Sequence, residues 1–166
     1  MATPTYTLID STVLGSAASS VTFSGISATG KGDLVLAVDK LAGSGGATRP
    51  SIQFNGDTGS NYSYVVMSGS SGVTFSDSGT ETSLRLNYAT NFGTTDSGQI
   101  IIQISDFAAT DKHKSALIRN NEATDQVEAL ATRWADTSAI SSIVIIANTN
   151  NFAAGASFYL YQIVSE

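Results

Sequence analysis

Apolar residues recur in this chain with a period of two, and that alternation limits the fold more than any other feature. In "DLVLAVDKL" (33 to 41), Leu34, Leu36 and Val38 fall on one side and Val35, Ala37 and Asp39 on the other, the pattern of a strand with one better-buried face. "VTFSGI" brings Val21 and Phe23 together, "SLRLNY" brings Leu84 and Leu86, and "QIIIQISDF" brings Ile100, Ile102 and Ile104. Two later runs, "AISSIVIIAN" and "ASFYLYQIV", are apolar on both sides over part of their length. They are expected to be central strands, or strands covered by a neighbour or partner. "NNEATDQVEALATRW" has the early acidic residues of a helix. Val127, Ala129 and Ala131 nevertheless alternate with Glu128, Leu130 and Thr132, so a strand is predicted there.

Between these runs lie glycine, serine, asparagine and threonine clusters: "GSGGATRP" (43 to 50), "NGDTGSN" (55 to 61), "SGSSG" (68 to 72), "NFGTTDSG" (91 to 98) and "NTNNFAAG" (148 to 155). Fifteen glycines against two prolines suit many tight connections, because glycine takes positive φ without steric cost. Strand-length runs separated by such clusters predict an all-β protein, an antiparallel β-sandwich or barrel of about ten strands. No linker or repeat divides the chain, so residues 1–166 are expected to form one domain.

Composition narrows the function. The chain has 166 residues, of which 42% are hydrophobic and 13% charged, and roughly a quarter are Ser or Thr, so a real core meets a surface finished in hydroxyls. A net charge of −6 with eight scattered basic residues argues against nucleic acid as a partner, since phosphate binding needs clustered Lys and Arg. Lys112 and Lys114 beside His113 make only a short basic spot. Cysteine is absent, which removes disulfides and thiolate metal sites. The start, "MATPTYTLID", shows no secretory pattern, and no apolar run is long enough for a membrane span. The expectation is a soluble, cytosolically made protein with no membrane partner, one that leaves by another route such as lysis if it acts outside a cell.

"QFNGDTGSNYSYV" (53 to 65) is the most polar stretch between apolar runs. Asn55, Asp57 and Asn61 alternate loosely like calcium ligands, but Gly59 occupies a ligand position and Met67 follows where a closing carboxylate is wanted. A turn fits more of these residues, because Asn and Gly tolerate left-handed backbone and Asp and Ser bond to nearby amides. Asn61-Tyr62-Ser63 matches a glycan acceptor, a motif without meaning unless the chain is secreted. His113 could serve Ser115 or Asp111 only with a third group and an oxyanion pocket, and no G-x-S-x-G elbow is present. Glu122, Asp125 and Glu128 are carboxylates that a glycosidase could pair, as could any acidic residues of a small domain. No catalytic residue, cofactor or metal is assigned, and the chain is not expected to be an enzyme. Two tyrosine stripes remain as candidates for interface or binding: Tyr62 with Tyr64, and Tyr159 with Tyr161, each pair on one side of its strand. Core closure or a subunit seam is the competing role for both. Trp134 is expected to be a core anchor.

Three segments, "FNGDTGSNYSYV" (54 to 65), "RWADTSAISSIVI" (133 to 145) and "NFAAGASFYLYQI" (151 to 163), resemble recurrent segments of a family of bacteriophage virion β-domains found in head and tail proteins. "VTFSGISATGKGDLVLAV" (21 to 38) and "HKSALIRN" (113 to 120) are similar in placement, so the likeness runs through most of the chain. Gln162 stands where a glycine is expected. The resemblance implies a jelly-roll-like sandwich on a virion and carries over no catalytic residue. Lacking a coiled-coil stalk or repeat, the chain fits a capsid decoration or cement protein better than a tail-fibre tip. Its expected partners are the major capsid protein or other virion proteins and copies of itself, a trimer first. The alternative is a tail-fibre or tail-tip domain that binds a host surface glycan.

Overall fold

The computed structural model of the chain describes residues 5–27, 32–70, 73–88, 91–95, 97–122 and 126–164, without the side chains of Val73, Phe75 and Val164. The described residues hold strands and no helix. In chain order these are β1 (Tyr6–Val13), β2 (Ser20–Ser24), β3 (Gly32–Leu41), β4 (Gly43–Ser44), β5 (Pro50–Phe54), β6 (Tyr62–Ser70), β7 (Val73–Glu81), β8 (Leu84–Arg85), β9 (Gly98–Ile104), β10 (Lys114–Asn121), β11 (Val127–Trp134), β12 (Ser142–Ala147), β13 (Asn151–Phe152) and β14 (Ser157–Val164). About ten strands were expected from the sequence; fourteen are assigned among the described residues. The difference lies partly in β4, β8 and β13, which have two residues each and are too short to show a period.

Two antiparallel sheets form the body. The larger has eight strands in the order β1-β14-β3-β9-β10-β11-β6-β7, the smaller has four in the order β2-β12-β5-β8, and β13 with β4 makes a short ribbon. The alternation assigns the inward faces. Leu34, Leu36 and Val38 of β3, Ile100, Ile102 and Ile104 of β9, and Phe158 and Leu160 of β14 are buried on the large sheet. Val21 and Phe23 of β2, Ile143 and Ile145 of β12, and Ile52 and Phe54 of β5 are buried on the small one. These side chains join in one core cluster, so the layers pack as a sandwich. The doubly apolar runs are central strands: β12 lies between β2 and β5, and β14 between β1 and β3. The segment with helical features is strand β11, paired along its length with β10 and β6.

The turn after β5 shows why "NG" stands where it does. Asn55 and Gly56 have φ of 53° and 71°, and the Asp57 amide donates to the Phe54 carbonyl at 2.9 Å. Positive φ at both central residues is what a type I′ turn requires, and Asn-Gly supplies it at least cost. Gly98, which opens β9, is small for a different reason. A Cβ there would run into the Phe92 ring and the Asn121 carbonyl, and that carbonyl belongs to the neighbouring strand. Gly98→Ala is therefore expected to destabilise the fold by about 2–3 kcal/mol through overpacking, read as a lower urea midpoint with an unchanged m-value.

Candidate interaction surface

The two tyrosine stripes part company in the fold. Tyr62 and Tyr64 turn inward on β6, with 1% and 9% of their surface exposed. As candidate binding rings they are corrected to core residues, because the inward face of β6 lies under the β5–β8 side of the small sheet. Tyr62 stacks on Trp134 with ring centres 6.4 Å apart, and Phe54 from the opposite sheet meets both rings. The Tyr62 hydroxyl donates to the Asp57 carbonyl at 3.1 Å and accepts from the Phe54 amide at 3.0 Å. Burial pushes its pKa up to about 12. Tyr64 packs against Tyr88, and the Arg85 guanidinium lies 5.6 Å from each ring centre. Tyr159 and Tyr161 point to the other side of the large sheet and are half-buried.

The polar loop from Asn55 to Asn61 is a latch. The Asp57 carboxylate accepts from Trp134 Nε1 at 2.7 Å, from Asn61 Nδ2 at 2.9 Å and from the Gly59 amide at 2.8 Å. The Trp134 and Asn61 donors hold its pKa below the ordinary carboxylate value. Asn55 Oδ1 accepts from the amides of Ser141 and Ser142, and its Nδ2 donates to the Ala139 carbonyl. The loop thus ties β5 and β6 to the segment between β11 and β12. Trp134 is the core anchor expected of it, and the turn interpretation of the loop accounts for these bonds.

Other candidates disperse. His113 is exposed. Asp125 lies outside the described residues. Glu128 is buried on the inward face of β11, where its carboxylate accepts from the Tyr88 amide and from Asn120 Nδ2, while Glu122 sits at the β10–β11 turn with its amide donating to the Gln126 carbonyl. Lys114, grouped in the sequence with Lys112 and His113 as a short basic spot, is instead turned inward and 1% exposed. Its ammonium donates to the carbonyls of Ala109, Lys112 and Thr137, and desolvation lowers its pKa.

What stands out is the outer face of the eight-stranded sheet. The strand registers place Leu8, Tyr161, Val35, Gln103, Leu117, Ala131, Val65 and Ser78 in one row across all eight strands. The adjacent row runs Ser11, Tyr159, Ala37, Ile101, Arg119, Ala129, Met67 and Ser76. Leu117 is 65% exposed, Met67 65%, Val65 55% and Val127 63%. Large apolar side chains are thus left in water on a face where the alternation could have placed polar ones. The outer face of the small sheet differs: Ser20, Thr22 and Ser24 are exposed, and Gln53, Ser142, Val144 and Ile146 are half-buried. A sheet face that leaves several large apolar side chains exposed is a candidate contact surface. The sequence signal for it was present in "KSALIRN", where Leu117 sits between the inward Ala116 and Ile118.

Compared with protein-family models, curated proteins and solved structures, the chain matches none.

Proposed function

We propose that this protein is a structural component of a bacteriophage virion, most simply a capsid decoration or cement protein that adheres to the head and to copies of itself. The observation that carries this reading is the two-sided surface of the sandwich. One outer face is apolar and open, the other rich in hydroxyls, so the body suits being covered on its apolar side, by the head or by a copy of itself, with its polar side to water. Strand order supports the jelly-roll part of the reading. A jelly roll is a long antiparallel hairpin rolled up so that its first strand pairs with its last, its second with the next to last, and so inward. Here β1 pairs with β14, β2 with β12, β3 with β9 and β5 with β8. On that view the β6–β7 and β10–β11 hairpins are insertions that widen one sheet, and β4 and β13 close the corners.

The tail-tip alternative keeps Tyr159 and Tyr161 as candidate rings for a host glycan but loses Tyr62 and Tyr64, which are in the core. Counting the chain in purified virions by quantitative mass spectrometry separates the two. Dozens to hundreds of copies per particle, lost together with head stability when the chain is deleted, is the expected result. A handful of copies, confined to tails, would remove the decoration reading.

A further inference from the structure

We propose that two copies of this chain pair through the outer faces of their eight-stranded sheets, about a two-fold axis that lies between β9 and β10 and runs along the strands. This deepens the adhesion reading by naming the surface on which copies meet, and it is tested on purified protein without any capsid, so either can fail alone.

The balance of charges selects the axis. Around the apolar rows, Asp33 and Asp39 lie on β3, Arg119 on β10 and Arg133 on β11; the chosen axis brings the two exposed Arg119 side chains toward each other over Ile101, against two opposite-charge pairs gained. Asp33 stands level with the β9–β10 connection and with Arg133, one row beyond Val35 and Ala131. A two-fold axis parallel to the strands lays β3 over β11 of the partner at the same level, which sets Asp33 opposite Arg133 of the partner subunit, twice. An axis across the strands would instead set Asp33 near Asp39 of the partner subunit, a like-charge contact that disfavours pairing. The chosen axis also matches size and shape. Val35 faces Ala131 of the partner subunit, and Ala37 faces Ala129 of the partner subunit. Leu117 of the partner subunit falls over Gln103, at a hollow of about 360 Å³ lined by Tyr6, Val35, Ile101, Gln103, Leu117 and Arg119. An exposed leucine thus has a recess to fill.

The area is sufficient. Strands are about 4.8 Å apart and rise about 3.4 Å per residue, and sheet twist limits close contact to the middle strands. Six strands over six residues give about 600 Å² per copy, near the lower end for a specific protein pair. Association is therefore expected at micromolar concentration. The trimer expected from the sequence competes with this pair, and mass decides between them.

The experiment is light scattering coupled to size exclusion, with sedimentation equilibrium, over a concentration series of the full chain. A mass twice the 17.2 kDa of the chain is expected. Leu117→Asp should raise the dissociation constant at least tenfold. Arg133→Asp and Asp33→Arg should each weaken the pair in the same way, and the double variant carrying both should restore it. Asp33 also accepts from Gln103 Nε2 and the Asp106 amide, so thermal melts accompany each variant; Leu117 and Arg133 are exposed and provide the test if Asp33→Arg fails to fold. A trimeric or monomeric wild-type mass throughout the series would overturn the proposal. So would a dimer indifferent to Leu117→Asp and Arg133→Asp.

Discussion

Trp134→Ala is expected to lower the unfolding free energy by about 4–5 kcal/mol, the largest effect of any single side chain here. Removing a buried tryptophan ring typically costs about 3–5 kcal/mol in lost burial and residual cavity. Trp134 is 1% exposed and touches rings from both sheets, so the site cannot collapse without moving both layers. The variant also deprives the Asp57 carboxylate of its Nε1 donor. Trp134→Phe isolates that second part: most of the ring contact stays, the N–H goes, and the expected cost is about 1–3 kcal/mol. The acid dependence of stability should change as well. Asp57 has a lowered pKa in the fold, first because of Trp134, so its contribution is fully present above the ordinary carboxylate value, about 3.9. It is lost as pH falls through the lowered folded value. Wild type should therefore weaken more steeply on acidification below about pH 4 than Trp134→Phe does. Urea melts at neutral pH and at successively lower pH measure both effects. A Trp134→Ala variant within 1 kcal/mol of wild type, a change of the size common for surface substitutions, would contradict the assignment of Trp134 as the anchor between layers.

Raising the pH should reveal Tyr62. Its folded pKa of about 12 stands above the ordinary 10.0, chiefly because burial disfavours the phenolate. A raised acid pKa means that the folded state keeps its proton after the unfolded state has lost it. Stability is thus intact below pH 10 and declines as pH climbs from 10 toward 12. Two units at about 1.4 kcal/mol each set the loss at about 2–3 kcal/mol. Tyr64 is raised as well, first by burial, and adds in the same sense. Lys114 acts oppositely, because desolvation lowers its pKa and the fold regains stability once the ammonium gives up its proton. Tyr62→Phe, although less stable at neutral pH for want of two hydrogen bonds, should show a clearly shallower decline over this window. Denaturant melts of both proteins from pH 8 to pH 12 supply the comparison, and identical slopes would contradict it.

The residues explain how much of this was legible beforehand. Ile100, Ile102 and Ile104, or Leu34, Leu36 and Val38, declare an inward face because only one side of their strand is uniformly apolar. The same rule placed β11 as a strand. It fails for the tyrosines: alternation says that Tyr62 and Tyr64 share a side, as do Tyr159 and Tyr161, but an amphipathic ring on a strand suits either side. Only the facing sheet, through Phe54, decides. Buried polar residues were hidden for the complementary reason. Lys114, Asn120 and Glu128 occupy inward positions of β10 and β11, where their polarity in the sequence imitates an outward face. Several of their partners, the Thr137 and Leu86 carbonyls, the Tyr88 amide and the Asn120–Glu128 pair across two strands, are set by the fold, and no local pattern reveals them. The apolar outer face was half visible: the doubly apolar runs suggested covering, but the rows across eight strands exist only once the registers are set.

The contact claim can be tested where it is most exposed. The chain has no cysteine, so Leu117→Cys on the large sheet and Thr22→Cys on the small sheet each give a single thiol. Maleimide labelling of each, in dilute protein and then in the assembled state, reports which outer face becomes covered. The account predicts that assembly slows labelling at position 117 at least tenfold and leaves position 22 unchanged. Equal rates at position 117 before and after assembly, or protection at position 22 instead, would contradict it.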